Sequence, residues 1–141
     1  MGDADFLAAI AGNAESCVRY FDEVLGAPPL DYSRSSLSTV DDFLDALHLG
    51  VEPPGQTLEN IVQLVSCYIY ETARREHGGF YIAGDAENPF VLAIPEPEPR
   101  VIVFVQQKVR GRVSNGKEDS IPFFYDGIPG LLATAGVSWL T

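Results

Sequence analysis

Between Tyr68 and Gly79 the chain reads YIYETARREHGG, gathering Glu71, Arg74, Arg75, Glu76 and His77 beside two tyrosines. These residue types suit acid–base chemistry: His77 would exchange a proton, Glu71 or Glu76 would orient its ring, and Arg74 or Arg75 would hold an anion. Helical spacing offers a plainer account. Glu71 and Arg75 stand four apart in acid-first order, a surface pair worth about 0.3–0.5 kcal/mol. Arg74, Arg75 and His77 fill the last turn before Gly78–Gly79, where cations complement the helix dipole and bond its free carbonyls. The segment therefore reads mainly as a capped helix end. Glu71 stands apart. It lies one position from Thr72 on the apolar stripe and three from Tyr68, so partial burial is expected there. A small-molecule site or enzyme, if the chain carries one, would have its pocket near Glu71, Tyr68 and the strand that follows.

Other chemistry lacks a pattern. His48 sits in the last turn of another helical segment, DALHLG, where it complements that helix's dipole. Cys17 and Cys67 fall within apolar stretches, with no second Cys or His at metal-ligand spacing, so no metal site is expected. They read as buried free thiols, or as a disulfide between two helices should the protein be exported. There is no G-x-S-x-G elbow, and no phosphate loop precedes Asn115–Gly116–Lys117. No cofactor is implied.

The chain of 141 residues suits a single domain, with 46% hydrophobic and 21% charged residues. Its formal charge of −11 is uneven: residues 1–60 hold 11 acids and 2 bases, residues 61–141 hold 9 acids and 7 bases. Such acidity repels nucleic-acid phosphates and anionic membrane surfaces, leaving a basic protein as the electrostatically favoured partner. The acids Asp31, Asp41, Asp42, Asp45 and Glu52 form the candidate face for it. Conversely, Arg100, Lys108, Arg110, Arg112 and Lys117 would make a basic ridge if their segment is helical. The N-terminus lacks the basic start of a signal peptide, and no apolar run reaches transmembrane length. The expected compartment is the cytoplasm.

Three helices come first. Phe6, Leu7, Ile10, Ala14, Cys17, Val18, Phe21 and Leu25 form one apolar face, stopped by Pro28–Pro29. Ser38, three residues before Asp41, is the expected cap of a second helix buried through Val40, Phe43, Leu44 and Leu47. Thr57 caps the third, whose stripe runs from Leu58 to Ala73. FYIAG and FVLAI then flank DAENP as a β-hairpin, and Pro95–Pro99 is a stiff spacer. Residues 101–113 fit both a strand, through VIVFV, and a helix, through valines four apart. Asp119 or Ser120 opens a short helix tolerating Pro122 in its first turn, and a Gly/Pro-punctuated tail carries Trp139. The whole is an α+β fold: three N-terminal helices, a β-hairpin or small antiparallel sheet, and one or two C-terminal helices. An exposed hairpin edge would allow a homodimer.

The order of Glu71, Gly78–Gly79–Phe80, Asn115–Gly116, Glu118–Asp119–Ser120 and Tyr125 resembles a loosely defined group of small, mostly uncharacterised bacterial domains. The resemblance spans roughly residues 13–128 and departs at Phe80, where tryptophan is commoner, and in the valine-rich run. It implies a helix over 101–113 and an accessory, regulatory or toxin-neutralising binding role. The expectation is thus a non-enzymatic protein-binding domain using its acidic surface, with Asp41, Asp42, Asp45, Glu71, Arg74 and Tyr68 as interaction candidates.

Overall fold

The computed structural model describes residues 3–95, 98–134 and 136–141. Ile10, Ala14 and Cys17, about one helical turn apart, are buried on one side of α1 (Asp3–Arg19). The helix then widens into a π-helical turn, Tyr20–Val24, in which Leu25 N–H bonds to Tyr20 O at 3.1 Å. Helix α2 (Ser36–His48) starts ahead of the expected Ser38 cap. Its first turn is closed by Ser33, whose Oγ accepts from Ser36 N–H at 3.2 Å, so Ser38 lies inside the helix. Helix α3 (Leu58–His77) starts as expected, with the Thr57 hydroxyl accepting from Asn60 N–H at 3.1 Å. It ends at Gly78 and Gly79, both at positive φ.

The hairpin forms where expected, from β1 (Phe80–Ala83) and β2 (Phe90–Ile94), antiparallel with Ala83 opposite Phe90. Asp85 closes its turn by accepting from the N–H groups of Glu87 and Asn88. The Pro95–Pro99 spacer lies partly outside the described residues. The ambiguous 101–113 segment divides: Val101–Val103 is strand β3, antiparallel to β2, and Gln106–Asn115 is helix α4. Beyond a 3-10 turn (Lys117–Asp119) come α5 (Ile121–Asp126), capped by Ser120, and α6 (Ile128–Leu132). The tail returns as β4 (Ser138–Leu140), which pairs parallel to β3. The fold is α+β with strand order β1-β2-β3-β4. Its sheet is mixed rather than antiparallel, because the tail adds a parallel edge after the helical connection α4–α6.

Register sets two rows of side chains across the sheet. Tyr81, Leu92, Val103 and Leu140 share the face that meets the helices; Phe80, Ala93, Ile102 and Trp139 share the other. Helix α3 runs through the centre, packed against α1, β2 and α4. Its Tyr70 hydroxyl joins three elements. It accepts from Val105 N–H at 3.0 Å and lies 2.6 Å from Gln106 Oε1 and 2.9 Å from Phe90 O. One phenolic proton serves one acceptor at a time, and Gln106 Nε2 donates to the Phe90 carbonyl as well, at 3.1 Å. That hub holds the point where the segment stops being strand and becomes helix. Tyr70→Phe strips it of its polar atom, and urea unfolding is expected to show a loss of about 1–3 kcal/mol at unchanged m-value.

Candidate functional site

The C-terminal end of α3 concentrates the polar side chains singled out in YIYETARREHGG. Glu71 is fully buried, 0% exposed, and both of its oxygens are occupied. Arg74 grips it with two bonds, Nε to Oε2 at 2.6 Å and Nη2 to Oε1 at 3.0 Å, and the Tyr81 hydroxyl donates to Oε2 at 2.7 Å. Arg75 Nε stands 3.8 Å from Oε1. Burial pushes the Glu71 carboxyl up, but the hydrogen bonds from Arg74 and Tyr81 and the two guanidinium charges outweigh it and hold the group below its ordinary range. Tyr81 joins this site through strand alternation: it faces the helices from β1, in the row that also holds Leu92.

Tyr68, also buried, organises the loop that leads into α2. Ser36 Oγ donates to Ser33 O at 2.7 Å, so the Tyr68 hydroxyl donates to Ser36 Oγ at 2.6 Å and accepts from Tyr32 N–H at 2.8 Å. Tyr32 adopts φ +64°, a left-handed conformation strained for an aromatic residue. Its ring is held by Tyr68, 4.9 Å between centroids, and by the Arg75 guanidinium, 3.5 Å from the ring centre. Arg75 is thereby committed, as Arg74 is, and neither offers the free anion site that an acid–base reading requires.

The carboxylate beside His77 is Glu76, with Oε1 3.5 Å from Nε2. Glu76 accepts from Tyr125 OH at 2.6 Å and from Arg34 Nε at 2.9 and 3.0 Å. Burial lowers the His77 pKa; the Glu76 charge raises it in part, and Arg34 lowers it further. The imidazole is therefore biased toward its neutral form. No local pattern pairs Arg34 or Tyr125 with Glu76, since they reach it from 42 and 49 residues away. The arrangement ties the α2 loop and α5 to the end of α3.

The acids of α2 divide into two kinds. Arg112 of α4 is 1% exposed, and its Nε and Nη2 meet Asp41 Oδ1 and Oδ2 at 2.9 and 3.2 Å. Nη2 also reaches Asp45 Oδ1 at 3.0 Å. Asp41 Oδ1 accepts in addition from Ile121 N–H at 3.0 Å, satisfying a free donor at the start of α5. Asp41 and Asp45 thus hold a buried cation, and the acidic candidate face loses two members. Three members of the basic ridge are spent in the same way. Lys108 pairs with Asp119 at 2.9 Å, Arg110 with Glu59 at 3.6 Å, and Arg112 is internal. His48 caps α4 rather than its own helix, its Nδ1 lying 2.7 Å from Val113 O. Cys17 and Cys67 are buried free thiols, and burial pushes Cys67 up to about 12.

Asp42 is left. It is exposed and lines a groove of about 340 Å³ whose walls include Phe21, Leu25, Pro28, Thr39 and Phe43. Asp22 and Glu23, exposed, belong to the π-helical turn that supplies Phe21. Among the described residues, no three His, Cys, Asp or Glu side chains gather as metal ligands would. No helix among them is long and apolar enough to cross a membrane.

No protein family, curated protein or solved structure matches the chain. The site must be read from its own chemistry.

Two outcomes follow from these clusters. Arg112→Met leaves Asp41 and Asp45 without their cation, and urea unfolding is expected to show a loss of about 3–5 kcal/mol, partly recovered when both aspartates become Asn. For Glu71, the unfolded carboxyl titrates near ~4.3 and the folded one lower, so the unfolded state binds more protons in acid and stability rises with pH there. The contribution is complete above ~4.3 and is lost as pH falls through the folded value. Unfolding from about pH 7 to about pH 3 is expected to show Glu71→Gln less stable than wild type at neutrality, with the gap closing in acid.

Proposed function

We propose that this chain is a non-enzymatic protein-binding domain that engages a basic partner through its acidic N-terminal half. The observation that carries the reading is the groove between the π-helical turn and α2. Its floor is apolar through Phe21, Leu25 and Phe43, and Asp42 lies on its wall. Among the described residues, Asp22, Glu23 and Asp42 take part in no ion pair or side-chain hydrogen bond. Their charges are therefore available to a partner. A basic segment carrying an apolar side chain fits such a surface, with charge steering the encounter and the apolar floor supplying contact area. The bacterial resemblance, with its accessory or toxin-neutralising roles, supports the same reading. The protein would act in the cytoplasm, a placement supported by its two buried free thiols.

An enzyme or small-molecule site centred on Glu71 would need an open acceptor there, and both carboxylate oxygens already carry protein donors.

The test is capture from native cell extract, followed by titration of the purified partner against wild type and the Asp22→Asn, Glu23→Gln, Asp42→Asn triple variant. A basic partner bound about tenfold more weakly by the variant, and more weakly as salt rises, is the expected result. A partner held equally well by both proteins overturns the reading. Asp41 and Asp45 are left intact because replacing them would disturb Arg112.

A further inference from the structure

Strand β4 is one of the two edge strands of the sheet, and its main-chain geometry is fixed on one side only. Ser138 N–H donates to Arg100 O and Leu140 O accepts from Phe104 N–H, each at 2.8 Å. Those bonds turn the main-chain groups of Ser138 and Leu140 toward β3. By alternation, the N–H and C=O of Trp139 point to the opposite side, where no further strand pairs among the described residues.

Both flanks of this edge carry a recess. On the outer face, a cavity of about 380 Å³ is lined by Ile82, Val91, Ile102, Phe104 and Trp139. The Trp139 ring stacks on Phe104, 5.5 Å between centroids and 9° from parallel, yet is 68% exposed. On the helix side, a cavity of about 310 Å³ is lined by Phe123, Phe124 and Leu140, with Glu118, Asp126 and Lys108 among its polar groups. Phe123 is 83% exposed. An extended strand sends successive side chains to opposite faces, which is the spacing these two recesses present.

We propose that the β4 edge takes an extended segment of a basic partner protein as a fifth strand. Its backbone would bond to the outward N–H and C=O of Trp139. Apolar side chains would enter the outer recess beside Trp139, and lysine or arginine side chains the helix-side recess. The charge there selects the occupant. Lys108 is neutralised by Asp119 at 2.9 Å, while Glu118 takes part in no ion pair among the described residues, so the acids of the recess outweigh its base. A second copy fits poorly, because each chain carries −11 and would bring its own acids to the same edge. The edge uses none of the residues of the acidic groove and does not depend on that groove being occupied.

Trp139 is the only tryptophan, so its fluorescence reports this edge alone. The probe is an end-blocked hexapeptide alternating lysine and valine, titrated into the full chain. A saturable blue shift of Trp139 emission is expected, with binding weakened about tenfold or more when alternate peptide amides are N-methylated. Replacing the peptide's lysines by glutamate should abolish the shift, and Phe123→Ala, at an exposed position, should weaken binding several-fold. The triple variant of Asp22, Glu23 and Asp42 should bind the peptide as wild type does, which separates this edge from the acidic groove. The proposal is overturned by the absence of a saturable shift, by equal binding of the N-methylated or glutamate peptide, or by loss of binding in the triple variant. Sedimentation showing a dimer, with Trp139 emission already blue-shifted and shielded from quencher without peptide, would overturn it too.

Discussion

A guanidinium removed from water must have its charge met by the protein, and Arg112 is where this fold meets that demand. The two aspartates that answer it come from α2, and one of them also satisfies the first free N–H of α5. Helix α2 is thereby joined to α4 and α5, whose contacting residues lie 71 and 80 positions further along the chain. Asp41 and Asp45, four residues apart on a helix, would repel each other if left alone. With Arg112 of α4 set against both, their repulsion becomes an attraction to a shared cation. Most of what can be said about the molecule's surface follows from this, because it decides which acids remain available to a partner.

A comparable economy governs the end of α3. Glu71, Glu76 and Tyr68 each tie the helix to a different neighbour: Glu71 to β1 through Tyr81, Glu76 to α5 through Tyr125, and Tyr68 to the loop before α2. Residues that suggested catalysis serve chiefly to anchor chain segments. The arginines that suggested anion binding are consumed by those carboxylates or by stacking on Tyr32. The surfaces proposed for partners lie elsewhere, in the acidic groove and along the β4 edge.

Several of these outcomes were legible in the sequence. The apolar spacing marked the three N-terminal helices, Thr57 and Ser120 marked two helix starts, and the glycines at 78 and 79 marked an end. Two signals were present but easily passed over. Arg112 lies three residues beyond Val109 and seven beyond Val105, which places it on the buried side of α4, and Asp41 and Asp45 form a like-charged pair that calls for a cation. The 101–113 segment was ambiguous because it holds two elements, and Tyr70, thirty-five residues upstream, bonds Val105 at the joint.

By itself the sequence determined what depends on neighbours within a few residues: helix faces, caps, the hairpin, and the excess of acid in the first half. These follow from periodicities and local hydrogen bonds that a short segment carries with it. Tertiary structure alone decided which charges are spent. Ion pairing and burial depend on partners tens of residues away, such as Arg34 with Glu76 and Arg112 with Asp41. The parallel placement of β4 is of the same kind. A three-residue strand has too little pattern to declare itself, and its position is set by the helices that carry the chain back to β3.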